Sequence, residues 1–283
     1  MRFSEDRLAT LDCGGQAQRT IHIWEPAAPR AVIVALHGGM AHAGDYVTPA
    51  LYFRQHGIAT VSYDMCGHEK ARRVDIPGFD VFLDESELFI AWAKRAYPGL
   101  PLFVMGHSMG GLIATHLGLE RVPADPAIKG FILSSPYYVN AIKVAPVLLA
   151  LSGVLARLLP RMKVPLVSLT DMLTHDQDIT ARHYADEADH TRATEVTVRF
   201  GHALTVAQAG LAPKMARWRY PLFAVVAGDD KLADADAGEA ILKSVDGKLL
   251  TYRRHAQNYH ENFNELNREQ IFGDILDWMA ARG

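Results

Sequence analysis

Short apolar runs alternate with amphipathic stretches along the chain, and this alternation predicts a sheet covered by helices. The apolar runs are bounded by Gly, Pro and Asp, as buried strands commonly are. Strands are predicted at Leu8–Asp12, Thr20–Trp24, Ala31–Leu36, Ala59–Tyr63, Leu102–Met105, Ile128–Leu133, Leu222–Val226 and Leu249–Tyr252. Helices are predicted at Asp84–Ala96, Gly110–Glu120, Ala233–Ser244 and Arg268–Ala281. Because two strands come first and strands then alternate with helices, we expect an α/β fold: a mostly parallel eight-stranded sheet with an antiparallel edge and helices on both faces.

The alternation stops between the sixth and the seventh predicted strand, where roughly eighty residues intervene, too many for one crossover. The intervening residues include a densely apolar segment at Lys143–Arg157 and a polar stretch at residues 170–194, which we read as loops and a short helix. The predicted domains are therefore a core of residues 1–139 and 214–283, with a helical cap of residues 140–213 inserted into it.

The segment Gly106–Gly110 has the sequence Gly-His-Ser-Met-Gly, a G-x-S-x-G motif between a predicted strand and a predicted helix. Strand, sharp turn and helix in this order form a nucleophile elbow, in which a strained backbone exposes the serine hydroxyl above the sheet. Side chains two residues before and after the serine would collide in such a turn, which fits glycine at both positions. We therefore predict Ser108 as a nucleophile; the alternative is a tight turn with an idle serine.

An acid and a histidine follow in the chain order that this elbow requires, which is serine, then Asp or Glu, then histidine. The predicted strand Leu222–Val226 leads to Asp229 and Asp230, and an acid just past a strand end lies where the elbow opens. We predict Asp230 as the acid and keep Asp229 as the alternative. His255 and His260 follow the last predicted strand, and His260 is the predicted base because His255 lies nearer the strand end.

Glycines after the predicted strand Ala31–Leu36 provide a candidate oxyanion hole. That strand is followed by His-Gly-Gly-Met at residues 37–40. Glycines let the backbone approach a substrate oxygen closely. One donor is expected to be the N–H of Met109, the residue after the nucleophile, and the second the N–H of Gly39. A plain glycine-rich turn is the alternative, and the presence of the elbow decides against it.

Several segments resemble the monoacylglycerol lipase and lysophospholipase-like family of α/β-hydrolases. They are the nucleophile region Tyr97–Gly111, the loop His37–Gly39 with His42 and Tyr46 after it, and the segments Asp230–Asp234 and Asn258–Glu265. The resemblance runs from Glu25 to the C-terminus and is weakest between Asn140 and Pro213. It implies the α/β-hydrolase fold and a serine hydrolase that cleaves carboxylic esters of single-chain lipids, such as monoacylglycerols or lysophospholipids, through an acyl-enzyme on Ser108.

Two departures from the family's pattern bear on the substrate. The family usually has glycine where this chain has Met40, which makes the acyl entrance more apolar; Met40 and His107 are expected to contact the substrate. The loop Gly67–Ala71 reads Gly-His-Glu-Lys-Ala where the family has Gly-His-Gly-x-Ser, and Arg72 and Arg73 follow it. We expect this loop to put charge near the mouth of the site.

The apolar segment Lys143–Arg157 is too short to span a bilayer, which takes about 20 residues. One interpretation is a helix packed on the core. The other is a cap helix over the site, whose apolar face admits acyl chains, with Leu148 and Leu151 against the substrate, and touches lipid surfaces. Both interpretations stay open at this point.

Composition excludes several classes of function. The formal net charge is -3 and no basic block occurs, so nucleic acid is not an expected partner. Cys13 and Cys66 suggest no disulfide framework, and residues 1–7 lack an apolar signal core, so a cytoplasmic location is expected. His260 and Glu261 lack the second histidine of a zinc-protease helix, and no calcium, phosphate or dinucleotide motif is complete. We expect no cofactor and no catalytic metal.

Several substrates stay open, because the fold alone does not fix the substrate. The same constellation serves short-chain carboxylesterases, thioesterases, amidases and aminopeptidases. A ligand receptor on the same fold is the non-enzymatic alternative, and it would not need Ser108, Asp230 and His260 in register. The expected partner is a small-molecule acyl ester.

Overall fold

The strands and helices of the protein follow the predicted alternation. The computed structural model describes residues 1–143, 145–164, 166 and 168–283, without the side chains of residues 146 and 148–150. The strands are β1 (Arg7–Asp12), β2 (Gln18–Trp24), β3 (Ala31–Leu36), β4 (Ile58–Tyr63), β5 (Arg73–Val74), β6 (Leu102–His107), β7 (Ile128–Ser134), β8 (Lys163–Val164), β9 (Glu195–Thr197), β10 (Leu222–Ala227) and β11 (Leu250–His255). The helices are α1 (Val47–Gln55), α2 (Asp80–Ala96), α3 (Met109–His116), α4 (Pro146–Leu158), α5 (Gln177–Ala188), α6 (Val198–Ala209), α7 (Ala235–Leu242) and α8 (Arg268–Ala280).

One large sheet contains all of the predicted strands, in the order β1-β2-β4-β3-β6-β7-β10-β11. β2 pairs with β1 and with β4 in antiparallel fashion. Every pair from β4 to β11 is parallel. The expectation of a mostly parallel eight-stranded sheet with an antiparallel edge is therefore confirmed.

Two helices, α1 and α6, are absent from the prediction. The first turn of α1 contains the β-branched residues Val47 and Thr48 followed by Pro49, which gives it a weak helix propensity. Packing stabilises it instead, since Ala50 and Phe53 are fully buried against the sheet. Tertiary contacts of this kind leave no periodic signal that a nine-residue segment could show.

The parallel strands are buried on both faces, and their side chains divide between two apolar layers. All six residues of β3 are buried. Val32, Val34 and Leu36 face the layer that includes α2 and α3, whereas Ile33 and Ala35 face the layer that includes α1 and α8. This alternation is the two-residue period of a strand, and it confirms helices on both faces of the sheet.

The chain between β7 and β10 contains α4, β8, α5, β9 and α6, and we call residues 140–213 the insertion. β9 pairs with β8 and also with β5, which precedes the insertion, so a second small sheet links the two parts. α4 and α6 pack against each other. None of the helices in the described ranges is long and apolar enough to cross a membrane. The division into a core and a cap stays a prediction.

The carboxyl ends of the parallel strands gather the predicted site residues at one edge of the sheet. The loop with Gly39 follows β3, Ser108 follows β6, Asp230 follows β10 and the loop with His260 follows β11. Ligands of open α/β sheets bind outside these strand ends. This edge is therefore the place where a functional site is expected.

Candidate active site

Ser108 lies in a sharp turn between β6 and α3. Its φ of 53° and ψ of -119° are values that residues other than glycine rarely adopt. A Cβ on Gly106 would overlap the carbonyl of Gly110, and a Cβ on Gly110 would overlap the carbonyl of Leu36. These close approaches explain the two glycines of the motif.

His260 and Asp230 form a buried hydrogen-bonded pair. Nδ1 of His260 lies 2.7 Å from Oδ2 of Asp230, and the imidazole N–H donates because an ionised carboxylate only accepts. Oδ1 of Asp230 accepts from the backbone N–H of Leu232 at 2.8 Å and from that of Ala233 at 2.9 Å. The structure thus brings these two predicted site residues together and holds the carboxylate in place.

The surroundings of Asp230 favour its ionised form. Burial opposes ionisation, but the charge and hydrogen bond of His260 and the two backbone N–H groups outweigh it, so the pKa of Asp230 lies below its ordinary value. On the other side of the imidazole, the buried Nε2 of His260 has no hydrogen-bond partner among the described residues. With the proton on Nδ1, Nε2 is a free acceptor.

The two alternative residues have other partners. The side chain of Asp229 is 47% exposed and pairs with Lys231. His255 is the last residue of β11, and its Nδ1 lies 3.2 Å from Nδ2 of Asn267. The acid–histidine pair of this site therefore consists of Asp230 and His260.

The loop after β3 lies directly over Ser108. A Cβ on Gly38 would stand 3.5 Å from Cβ of Ser108, and a Cβ on Gly39 would stand 3.6 Å from Sδ of Met109. The two predicted oxyanion donors, Gly39 and Met109, are thus neighbours. Met109 is the first residue of α3, so its N–H has no acceptor within the helix. Met40, where the resembled family has glycine, adopts a φ of 64°, which glycine tolerates better.

His37 fixes the shape of this loop through its hydrogen bonds. In the sequence, this role is indicated only by the position of His37 before two glycines. Its buried Nε2 accepts from the backbone N–H of Met65 at 3.1 Å. The proton is therefore on Nδ1, which donates to the carbonyl of Gly38 at 2.8 Å. Burial lowers the pKa of His37 to about 4, so the ring is neutral.

A row of polar side chains runs from Asn262, two residues after His260, to His107. Nδ2 of Asn262 donates to Oγ of Ser135 at 2.9 Å and lies 3.4 Å from Oγ of Ser134. Ser134 in turn lies 3.3 Å from Nδ1 of His107, whose ring centroid is 4.8 Å from that of His260. Burial, and then the charge of His260, lower the pKa of His107 to about 4. His107 and Ser134 end two strands, Ser135 follows β7 and Asn262 lies in the loop after β11, and no sequence pattern connects them.

The residues predicted to contact substrate are spread over two regions. His107 precedes Ser108 in the chain, and Met40 follows the two loop glycines that lie over the elbow. Leu151 lies on α4 with about half of its side chain exposed, and the side chain of Leu148 lies outside the described part of the chain. No sequence pattern points to Phe200 of α6, which stands 3.8 Å from a Cβ built on Gly39.

A cavity of about 730 Å³ lies between the insertion and residues of the chain before it, and none of these site residues lines it. Its apolar lining residues include Phe79, Leu83, Ala203 and Val206. Its volume is within the range of ligand pockets, about 300–1,000 Å³. Ser108, Asp230 and His260 are not among the residues that line it.

One group of side chains has the composition of a metal site. The ligand atoms of His42, Asp45 and Asp186 lie within 4.8 Å of one another. However, Asp45 accepts from Arg192 at 2.7 Å, and Asp186 is paired with Arg2. Because arginines already neutralise both carboxylates, this group is better described as a buried ionic network.

Comparison with known proteins gives matches over most of the chain. The family model described as serine aminopeptidase, S33, matches residues 27–267. The phospholipase YtpA of Bacillus subtilis is 34% identical over 253 residues, which are 88% of this chain and 95% of that protein. A monoacylglycerol lipase of Mycolicibacterium smegmatis is 28% identical over 263 residues, which are 92% of this chain and 91% of that protein.

A solved structure has the same overall arrangement. A soluble variant of monoglyceride lipase from Saccharomyces cerevisiae, in complex with a substrate analogue, aligns with a TM-score of 0.83 and 17% identity. The alignment covers 98% of this chain and 95% of that chain. At this identity the likeness concerns the fold alone.

Proposed function

The chain belongs to the serine aminopeptidase, S33, family, and on that premise we propose that it cleaves single-chain lipid esters through an acyl-enzyme on Ser108. It has the α/β-hydrolase fold and is an ester-hydrolysing enzyme. The observation that supports the proposed mechanism most directly is the buried 2.7 Å hydrogen bond between His260 and Asp230, at the sheet edge where the strained Ser108 lies.

In the proposed acylation step, Oγ of Ser108 attacks the ester carbonyl and Nε2 of His260 takes its proton. The charged imidazolium that forms is stabilised by the carboxylate of Asp230, which also keeps the ring in the tautomer with a free Nε2. His260 then returns the proton to the leaving alcohol. An acyl-enzyme remains on Ser108, and the alcohol departs.

The negative oxygen of the tetrahedral intermediate is proposed to bind the backbone N–H groups of Gly39 and Met109. Removal of one such donor in a serine hydrolase typically slows catalysis about 100- to 1,000-fold. In the second half of the reaction, water attacks the acyl-enzyme with His260 again as the base, and the fatty acid is released.

The exposed face of α4 supports a substrate with an acyl chain. Val147, Leu151, Val154 and Leu158 recur at helical spacing, and their side chains are between 47% and 70% exposed. A contiguous exposed apolar stripe of this kind marks an interaction site for apolar ligands, proteins or lipid. We propose that residues 140–213 form a cap and that this stripe of α4 guides acyl chains and touches lipid surfaces. The names of the two relatives, a phospholipase and a monoacylglycerol lipase, agree with this substrate class.

Hydrolysis of an amide at the same serine is the second candidate, because the family is described as an aminopeptidase. The same triad chemistry serves esters and amides. A panel that includes an aminoacyl amide beside acyl esters therefore separates the two substrate classes.

The test of the lipid-ester proposal is a series of kcat/KM values for C2 to C14 esters of one alcohol, kept below micelle formation. Each methylene buried by the protein adds about 0.8 kcal/mol, which corresponds to about fourfold in kcat/KM. We expect kcat/KM to rise over several carbons and then level off. A steady fall beyond C4 would indicate a short-chain esterase instead.

The role of α4 is tested by the substitution Leu151→Asp, with Leu88→Asp as its matched control. Leu88 is an exposed leucine on α2, in the part of the chain that precedes the insertion. If α4 guides acyl chains, Leu151→Asp lowers kcat/KM for long-chain esters more than for acetate, whereas Leu88→Asp does not. An equal effect of both variants on binding to phospholipid vesicles would refute the lipid-surface part of the proposal.

A cytoplasmic location completes the proposal. Cys13 and Cys66 are both free, which agrees with a reducing compartment. Fractionation of cells that express the protein would test this, with recovery outside the cytoplasm as the contrary result.

A further inference from the structure

A buried ionic network joins the insertion to the loop that carries His260. Glu261, the next residue in the chain, accepts from Nε2 of His183 at 2.8 Å. Arg192 lies 3.5 Å from the other carboxylate oxygen of Glu261 and donates to Asp45 at 2.7 Å. His183 and Arg192 belong to the insertion, and all four side chains are largely buried.

The same stretch of the insertion also holds the oxyanion loop. The backbone N–H of Ala193, next to Arg192, donates to the carbonyl of Met40 at 2.8 Å. Asp45 lies five residues beyond Met40 in the chain and is the acceptor for Arg192. Arg192 and Ala193 therefore contact both the segment that follows the loop glycines and the loop that carries His260.

The loop that carries His260 is also held by the residues before α5. The N–H of Glu261 donates to the carbonyl of Leu173 at 2.8 Å. Oγ1 of Thr174 donates to the carbonyl of Asn264, also at 2.8 Å. The insertion therefore holds this loop through its backbone as well as through the side chain of Glu261.

The charges of this network act on one another and on His107, whose ring packs against that of His260. Burial opposes ionisation of Glu261, but the charges of His183 and Arg192 outweigh it and lower the pKa of Glu261. The negative charge of Glu261 in turn opposes the lowering of the pKa of His107, whose ring lies 4.8 Å from that of His260. Burial strengthens such interactions because little water screens them.

We propose that Arg192 and Glu261 are positioning residues of the catalytic centre, and that residues 173–194 of the insertion are a fixed part of it rather than a movable lid. This inference rests on the proposed role of His260 as the base. Arg192 holds the loop that carries His260 and the loop that contains Gly39 in fixed relative positions. Glu261 is the next residue after His260, so holding Glu261 also holds His260.

The test compares Glu261→Gln and Arg192→Met with Arg199→Met as a matched control. Like Arg192, Arg199 is an arginine of the insertion that pairs with an aspartate before the insertion, in this case Asp75. This ion pair lies by the small sheet of β5, β8 and β9. The measurements are kcat and KM for p-nitrophenyl butyrate between pH 5 and 9. We expect kcat to fall about tenfold or more in the first two variants, because small misplacements of catalytic groups are costly, while KM stays within about twofold.

The pH profile separates positioning from a general loss of stability. Among the described residues, Asp230 and His107 contact His260 directly, and the network that begins at the next residue contains Glu261, His183, Arg192 and Asp45. Glu261→Gln removes a negative charge, which disfavours the charged imidazolium form of His260. The acid limb of the pH profile of kcat/KM should therefore move to lower pH. Removal of the positive charge in Arg192→Met should move it to higher pH, each by about half a pH unit.

Opposite shifts with an unshifted control support the inference. Shifts in the same direction, or none in folded variants, overturn it, and wild-type kinetics in both variants do so as well. If Arg192→Met does not fold, the kcat and the pH profile of the nearly isosteric variant Glu261→Gln alone decide whether the inference holds. Failure of a fluorophosphonate to label Ser108 in the wild type would instead overturn the proposed function, which keeps the two failures distinct.

Discussion

Replacement of Asp230 by Asn is the sharpest test of the pairing seen in the site. The change removes one negative charge and keeps the shape of the side chain. The amide oxygen can still accept from the backbone N–H groups of Leu232 and Ala233, so the fold should persist. What is lost is the stabilisation of a charged His260, 2.7 Å away.

The magnitude follows from Coulomb's law. Unit charges about 4 Å apart, at an effective dielectric constant of about 20, attract each other by about 4 kcal/mol. This corresponds to about three powers of ten in rate. The wrong imidazole tautomer adds to the loss, because an amide can donate to Nδ1 as well as accept from it. A fall in kcat of about 10³- to 10⁴-fold is therefore expected for Asp230→Asn.

The neighbouring Asp229→Asn is the matched control. Its carboxylate is half exposed and pairs with Lys231 at the surface. Exposed ion pairs contribute at most about 1 kcal/mol, so kcat should change by less than about fivefold. Both variants are assayed with p-nitrophenyl butyrate, and their Tm values are recorded to verify folding. Equal losses, or a larger loss in Asp229→Asn, would refute the assignment.

Two further predictions concern the framework of the site. Gly110→Ala should destabilise the protein by about 1–3 kcal/mol or more, because the added Cβ would overlap a backbone carbonyl. Gly238→Ala, where a Cβ would stand in open space within α7, should stabilise the protein by up to about 1 kcal/mol. Urea unfolding measures the stability of both variants, and equal effects would contradict the packing argument. Burial lowers the pKa of His37 to about 4, of His68 to about 3 and of His107 to about 4. As the pH falls, the unfolded chain therefore takes up protons on these histidines before the folded protein does. Stability should therefore be complete above about pH 6.5 and fall as the pH drops towards 4; a constant Tm between pH 7 and 4.5 would be the contrary result.

The sequence predicts the parts of this protein that depend on local pattern. The strands are visible because parallel strands are continuous apolar runs, and the elbow is visible because its glycines are forced by close backbone approach at Gly106 and Gly110. The choice between Asp229 and Asp230 is not local, because both follow β10 and only the fold shows which one meets His260.

The buried ionic network is the part that the sequence could least predict. Arg192 and Asp45 are separated by 147 residues, and Arg192 and Glu261 by 69. Neither pair forms a motif, and each residue alone resembles an ordinary surface charge. α6 is missed for a similar reason, since its packing partners lie far away in the chain. Long-range pairing of this kind leaves no trace in local periodicity.

The central claim is that Ser108 is the nucleophile, and one labelling experiment tests it directly. Wild-type protein and Ser108→Ala are exposed to a fluorophosphonate, and the adducts are measured by intact mass spectrometry alongside hydrolysis of a monoacylglycerol. We expect one adduct on the wild type, none on the folded variant, and a loss of several powers of ten in hydrolysis. A folded Ser108→Ala protein that still hydrolyses the ester at the wild-type rate would contradict the mechanism.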